Sequence, residues 1–120
     1  MGDRCIILIE DSHGLNDAAC YLHWAGSEAI ELIKEAIPCM RKGDSTYSLA
    51  RLIGFLHTKI KGNLSLGCFG IDVQKPLSDI SNGDAGIVVY NCETGIINCA
   101  EGYLSDRSGE NLGVPPNDFY

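Results

Sequence analysis

Cysteine and histidine are the residues in this chain whose chemistry could be nucleophilic or metal-binding. The chain has three histidines and six cysteines, the latter at positions 5, 20, 39, 68, 92 and 99. A histidine-activated cysteine would make a nucleophile, but no cysteine follows a glycine-rich loop or a predicted strand-to-helix elbow. Cys20 and His23 stand three apart on a predicted strand and so point to opposite faces, and no C-x-x-C pair occurs. The pattern favours six free, mostly buried thiols over a cysteine hydrolase or a zinc site.

Phosphate-binding and ring-stacking groups cluster near the predicted start of the first helix. The chain has neither G-x-x-x-x-G-K-[ST] nor G-x-G-x-x-G, but the N–H groups of residues 25–27 would lie at the positive end of that helix. An ordinary helix start capped by Ser27 explains the same residues and is the favoured interpretation. Tyr21, His23 and Trp24 end the preceding strand, where Trp24 is either a core residue or a platform for a ligand ring.

Two polar candidates lie in the C-terminal half of the chain. Asn91 ends a predicted strand, where its amide can both donate and accept hydrogen bonds. Arg107 follows the last predicted strand, and its guanidinium can hold a phosphate through two parallel hydrogen bonds. It can equally be a surface charge that pairs with Asp106. Both interpretations of Arg107 stay open on the sequence alone.

Hydrophobic periodicity predicts the elements that must position these side chains. The spacing predicts an α+β domain of order ββααβββ, with a mostly antiparallel sheet and two helices on one face. The domain covers residues 1–107, and an irregular C-terminal tail covers 108–120. Pro38 ends or kinks the first helix, and Asp44 or Ser45 caps the second. The predicted elements are strands at 4–10 and 17–24, helices from 28 to about 40 and from 44 or 45 to 62, strands at 64–73, 86–91 and 96–100, and a polar loop at 76–84.

Length, charge and hydropathy limit the partners of this domain. The chain has 120 residues, is 45% hydrophobic and carries a net charge of -7, which suits one folded domain but not a partner that is a nucleic-acid polymer. No apolar run approaches the roughly 20 residues that cross a bilayer, and no signal peptide precedes the first strand, so we expect a cytosolic protein without a membrane partner. Residues 27–75 carry seven basic and five acidic side chains, whereas the flanking segments carry two basic and 11 acidic ones. A small anionic ligand should therefore contact the helices, Arg4 or Arg107.

Three segments resemble a known family. They read CIILIEDSHGLNDAACYLHWAGSEA, ARLIGFLHTKIKGNLSLG and GDAGIVVYNCETG, and the chain is similar over residues 4–107 to the phage-encoded Thoeris anti-defence sponges of the first type. The resemblance implies a protein of the infected bacterial host's cytoplasm that binds cyclic ADP-ribose isomers and releases them intact, without a cofactor. It also implies a homo-oligomer, a dimer or a hexamer, and some relatives hold cyclic trinucleotides at a separate site.

The chemistry of a cyclic ADP-ribose defines the side chains it needs. Its adenine requires an aromatic or apolar platform, its riboses require hydrogen-bonding groups, and its pyrophosphate requires a cation. By resemblance, Asn91 and Arg107 are the closest matches to the family's ligand contacts, although residues 80–81 are Ile-Ser where an aromatic is expected. The candidate ligand-binding residues are Trp24, Tyr103 or Tyr90 for stacking, Asn91 and Asp84 for the riboses, and Arg107 and Arg51 for the pyrophosphate.

Two other functions and one structural hypothesis remain open on the sequence. An enzyme that cleaves the same signal would use Glu101, Asp84 or a cysteine at the anomeric carbon. A protein-binding inhibitor would use the acidic surface to cover a basic effector. A nanomolar dissociation constant corresponds to a binding free energy of about -12 kcal/mol. A site that reaches this value must enclose most of its ligand. Residues 105–120 are expected either to close over the ligand or to lie on their own domain.

Overall fold

Six strands, two α-helices and four short 3-10 turns form within residues 2–59 and 65–117, the ranges that the computed structural model describes. The chain is α+β, with a mostly antiparallel sheet and two helices, as predicted. Within these ranges no helix has the length and apolar content that a bilayer crossing requires. The elements are β1 Cys5–Asp11, β2 Gly14–Leu15, β3 Ala18–Leu22, α1 Ala29–Ala36, α2 Ser45–Lys59, β4 Leu66–Gly70, β5 Gly86–Asn91 and β6 Ile97–Ala100.

The topology of the sheet brings distant parts of the sequence to the same end. The strand order is β4-β3-β1-β5-β6, and β2 pairs with the end of β1. β1 and β5 are parallel, and the other pairs are antiparallel. Parallel strands need a long crossover connection, and here it contains both helices. As a consequence, residues 80 positions apart in sequence, Arg4 and Asp84, become neighbours.

The central strands are buried on both faces. On β1, Ile7 and Ile9 pack in the core cluster formed with the helices, whereas Ile6 and Leu8 pack in a second cluster on the opposite face. That second cluster is covered by apolar side chains of residues 71–80. The predicted polar loop is therefore partly apolar: a 3-10 turn, Leu77–Ile80, packs on the sheet through both of its end residues.

The first helix ends where its proline requires. α1 ends at Ala36, and the chain continues as a 3-10 turn, Ile37–Cys39, with Pro38 in its first turn. Proline lacks the N–H that a further α-helical turn would need. The predicted end near Ile37 is confirmed.

The second helix is capped by two aspartates. Asp44 Oδ1 accepts the Tyr47 N–H at 3.0 Å, and Asp11 Oδ2 accepts the Ser45 N–H at 2.9 Å. The cap predicted at Asp44 is therefore confirmed. The predicted apolar stripe faces the core through Leu49, Leu52 and Leu56, with Ile53 packed beside them. Its last member, Ile60, and the closing Gly62 lie outside the described residues.

The described part of the predicted C-terminal tail runs beside β6. Gly109 donates to the Ile97 carbonyl at 2.8 Å, and Ile97 donates to the Glu110 carbonyl at 3.0 Å. Further on, Leu112 donates to the Gly95 carbonyl at 2.8 Å. This segment therefore lies on its own domain, along the outer edge of β6.

Candidate functional site

One end of the sheet, here called the β1–β5 end, collects three of the six predicted ligand-binding residues. β1 and β5 begin at this end, and β3 and β6 finish at it because they run antiparallel to them. Asp84 precedes β5, Trp24 follows β3, and Tyr103 follows β6. The topology therefore places a carboxylate and two aromatic rings at one edge.

An ion pair joins the starts of the two parallel strands. Asp84 Oδ2 accepts the Arg4 Nε–H at 2.9 Å and the Arg4 backbone N–H at 3.1 Å. These hydrogen bonds, the side-chain one first, hold the pKa of Asp84 below its usual value. Among the described residues the guanidinium of Arg4 bonds only to Asp84, through Nε. Both terminal nitrogens of Arg4 are therefore available to an anion.

Asp3 ties the first helix to the segment after β6. Its Oδ1 accepts the Tyr103 O–H at 2.5 Å, and its Oδ2 accepts the Ser27 N–H at 2.8 Å. Burial alone would raise the pKa of Asp3, but these two bonds outweigh it and the pKa is lowered. Burial, and then the bond to Asp3, raise the pKa of Tyr103 to about 12.

The start of the first helix is therefore not capped as predicted. A 3-10 turn, Gly26–Glu28, precedes α1, so the cap positions fall on Ala25 and Glu28, and neither residue makes a side-chain cap bond. The carboxylate of Asp3, far away in sequence, takes the exposed N–H of Ser27 instead. The protein's own anion thus occupies the place where the sequence allowed a phosphate.

Three rings at the end of β3 are in contact, the half-buried Tyr21 and His23 and the exposed Trp24. The Tyr21 hydroxyl lies 2.7 Å from His23 Nδ1. The ring of His23 meets that of Trp24 edge to face, with centroids 4.8 Å apart. Trp24 is 57% exposed and Tyr103 is 51% exposed, so Trp24 is a surface residue and not a core residue.

A cleft of about 300 Å³ opens between these groups, lined by Gly2, Arg4, His23 and Asp84. It offers a guanidinium, an imidazole and a carboxylate, beside the exposed ring of Trp24. A guanidinium can bind phosphate oxygens, a carboxylate can accept hydroxyl hydrogens, and an indole can stack on a base. The volume is at the small end of the range typical of small-molecule sites.

The backbone around the cleft is strained. Asp84 and Glu101 have φ of 54° and 65°, the left-handed region that favours glycine. The two residues flank the paired ends of β5 and β6, where Ile87 lies opposite Ala100. Non-glycine residues in this region persist only when their surroundings hold them, and they concentrate at functional sites.

Asn91 lies at the opposite end of the sheet. β5 runs for six residues, from Gly86 to Asn91, about 17 Å, and Asp84 lies in the turn before its other end. The Oδ1 of Asn91 accepts the N–H groups of Glu93 and Thr94 at 2.8 and 3.1 Å, and its Nδ2 donates to Glu10 Oε1 at 3.2 Å. Asn91 thus shapes the β5–β6 turn and holds β1, and it does not line the cleft.

Arg107 and Arg51 lie apart from the cleft as well. Arg107 donates from Nε and Nη2 to both carboxylate oxygens of Glu110, at 2.6 and 2.8 Å, and from Nη2 to Glu31 of α1 at 3.2 Å. Arg51 is on α2, where its guanidinium stands 5.6 Å from the ring centre of Tyr47. The carboxylates that pair with Arg107 are those of Glu110 and Glu31, in place of the expected Asp106.

The cysteines divide as expected between the core and the surface. All six are free; Cys39 and Cys68 are exposed and the other four are buried. Burial raises the pKa of Cys5 and of Cys20 to about 12, which leaves them poor nucleophiles. Among the described residues no cluster of His, Cys, Asp or Glu could hold a metal ion.

The roles of Asp3 and Arg4 were not visible in the sequence. In the sequence Arg4 stands out only as a cation outside the helical layer. Its bond to Asp84 depends on the parallel pairing of β1 with β5, which hydrophobic periodicity does not reveal. Asp3 stands just before a predicted strand, and nothing in that position indicates that its carboxylate accepts the N–H of Ser27.

Comparison of the chain with protein-family models, with curated proteins and with solved structures finds no match.

Proposed function

We propose that the protein binds and sequesters a cyclic ADP-ribose isomer without cleaving it, and thereby blocks Thoeris antiviral signalling in the cytoplasm of the infected host. The observation that carries the proposal is the cleft at the β1–β5 end. There a guanidinium with two available nitrogens, an imidazole and an ionised carboxylate line the cleft. The exposed ring of Trp24 lies against His23, and the exposed ring of Tyr103 follows β6 at the same end of the sheet. These are the groups that the pyrophosphate, the riboses and the adenine require.

Each part of the ligand has a partner in this arrangement. Arg4 takes the pyrophosphate through its terminal nitrogens, and His23, which lines the same cleft, adds a second donor. Asp84 accepts ribose hydroxyls while its bond to Arg4 keeps it ionised. Trp24 stacks on the adenine, which contributes about 1–3 kcal/mol. Tyr103 borders the same end and gives a second aromatic edge.

Tight sequestration requires more enclosure than one chain provides. A cleft of about 300 Å³ that is lined by four residues leaves much of a dinucleotide-sized ligand in water. A nanomolar constant corresponds to about -12 kcal/mol and needs most of the ligand surface buried. We therefore propose that the binding species is a homo-oligomer, a dimer or a hexamer, in which a second copy covers the cleft. A cyclic trinucleotide at a separate place is part of the same proposal.

Isothermal titration with cyclic ADP-ribose isomers tests the location of the site. Trp24→Ala should weaken binding by about 5- to 150-fold, because a base–aromatic stack is worth about 1–3 kcal/mol. Tyr47→Ala is the matched control, since Tyr47 is also a half-exposed aromatic but lies on α2. Asn91→Ala should leave affinity unchanged. Loss of binding in Asn91→Ala with none in Trp24→Ala would move the site to the other end of the sheet.

Two outcomes would replace the proposed function with its rivals. An enzyme would consume the isomer, and chromatography after incubation would show cleaved products. A protein-binding inhibitor would give no heat with any nucleotide and would retain a basic effector from infected-cell lysate.

A further inference from the structure

Two cysteines face each other across the outermost antiparallel pair of the sheet. In the register of β3 with β4, Cys20 lies directly opposite Cys68. Directly opposed residues of an antiparallel pair point to the same face. The two side chains are therefore neighbours although 48 positions separate them in sequence.

The hydrogen-bond pattern shows which kind of pair this is. The Ile71 N–H donates to the Asp17 carbonyl at 2.8 Å, and the His23 N–H donates to the Ser65 carbonyl at 2.9 Å. Both are opposed pairs in the same register, and hydrogen-bonded and non-hydrogen-bonded pairs alternate along an antiparallel ladder. The Cys20–Cys68 pair lies three positions along the ladder from each of these bonded pairs. By the alternation it is a non-hydrogen-bonded pair.

This geometry suits a disulfide. Opposed Cα atoms of a non-hydrogen-bonded pair are about 4.5 Å apart, with the side chains closer than in a bonded pair. Disulfides span Cα separations of about 4.4–6.8 Å. The two strands therefore need little or no displacement for a bond between the sulfurs.

The two thiols differ in access. Cys68 is exposed on the edge strand, β4, and Cys20 is fully buried on the neighbouring strand, β3. An oxidant in solution therefore reaches Cys68 first. Burial, and then the nearby Cys68, raise the pKa of Cys20 to about 12, so Cys20 is the resolving partner and reacts slowly.

We propose that Cys20 and Cys68 form a reversible cross-strand disulfide when a hydroperoxide oxidises the exposed thiol. The sulfur of Cys68 attacks the peroxide, the O–O bond breaks, and a sulfenic acid and one water (or alcohol) form. The sulfur of Cys20 then attacks that of Cys68, its thiol proton leaves with the hydroxyl group as water, and the S–S bond forms. The peroxide is reduced by two electrons, and a dithiol reverses the change.

The bond would tie the edge of the sheet to the three rings at the end of β3. Cys20 stands two residues before β3 ends at Leu22, and the Ser65 carbonyl already accepts the N–H of His23. Closing a loop of 49 residues restricts the unfolded chain, which stabilises the fold. This inference does not depend on the proposed ligand.

Mass spectrometry of the reduced full chain after hydrogen peroxide treatment tests the proposal. The intact mass should fall by about 2 Da, proteolysis should yield a Cys20–Cys68 linked peptide, and the midpoint of thermal unfolding should rise by at least about 5 °C. Dithiothreitol should reverse all three changes. Cys39→Ser, which removes the other exposed thiol, should behave like the wild type, and Cys68→Ser should lose the linkage.

Three results would overturn the proposal. One is Cys68 oxidised to sulfinic acid while Cys20 stays a free thiol. Another is a covalent dimer joined through Cys68 of two copies. The third is an unchanged loss of about 2 Da in Cys68→Ser.

Discussion

Gly102→Ala should break the packing that holds the β1–β5 end together. A Cβ at position 102 would lie 2.3 Å from the carbonyl carbon of Ala85 and from the Gly86 nitrogen, and 2.4 Å from the Asp84 oxygen. Carbon atoms in contact prefer about 3.5–4.0 Å, and backbone atoms cannot rotate away as a side chain can. The segment after β6 must therefore move away from the start of β5 by about 1 Å or more. Gly102 itself has an extended backbone that any residue adopts, so the effect is purely steric.

The magnitude follows from overpacking and from the hydrogen bonds that the movement stretches. Overpacking costs about 1–3 kcal/mol. Two backbone bonds cross the same contact, from Tyr103 to Asp84 and from Leu104 to Ala85, and each is worth about 1 kcal/mol. We expect the free energy of unfolding to fall by about 3–5 kcal/mol. For 120 residues this lowers the thermal midpoint by roughly 12 °C or more.

Thermal and urea unfolding followed by circular dichroism measure this change. The control is Gly54→Ala, because Gly54 is exposed in α2 and a Cβ there meets nothing within 4 Å. Alanine at that position should raise stability by about 0.5–1 kcal/mol. A Gly102→Ala variant within about 1 kcal/mol of the wild type would refute the packing described for this end of the sheet.

Two further variants test the ion pair of the cleft, Arg4 with Asp84, and the ion pairs of Arg107 away from the cleft. Arg4 lowers the pKa of Asp84 in the folded state, so the pair stabilises the fold above the unfolded pKa, about 3.9, and that contribution is lost as the pH falls through the lower folded value. Asp84→Asn should therefore lose less stability than the wild type when urea unfolding is repeated below about pH 4; an identical pH dependence would contradict the pairing. Arg107→Ala, which removes the bonds to Glu110 and Glu31, should lower stability by at most about 1 kcal/mol and leave nucleotide affinity unchanged in calorimetry. A large loss of affinity in that variant would place the ligand at Arg107.

The elements could be predicted from the sequence because each has a local signal. The apolar runs of β1 and β5 and the spacing of Leu49, Leu52 and Leu56 in α2 reflect burial directly. Pro38 ends the first helix through a missing donor, and Asp44 caps the second through a nearby acceptor. Each of these effects acts between residues that are close in sequence, so the order of residues along the chain is enough to predict it.

The site could be predicted only in part because its bonds join distant segments. The pairs formed by Asp84 with Arg4 and by Tyr103 with Asp3 each span 80 residues or more. They exist because β1 and β5 lie parallel at the centre of the sheet. Side-chain chemistry marked Asp84, Tyr103 and Asn91 alike, although Asp84 and Asn91 stand at opposite ends of one predicted strand. Only the strand directions show that Arg4, Trp24 and Tyr103 lie at the Asp84 end.

Recovery of the nucleotide from a saturated complex shows whether the protein binds the isomer and releases it uncleaved. The protein is incubated with an equimolar cyclic ADP-ribose isomer, freed of unbound nucleotide by gel filtration, and then heat-denatured. If the protein sequesters the isomer, the isomer elutes with the protein and appears in the supernatant chemically intact, and Trp24→Ala carries much less of it through the column. Linear or cleaved nucleotide in the supernatant, or no nucleotide eluting with the wild type, would contradict the proposed sequestration.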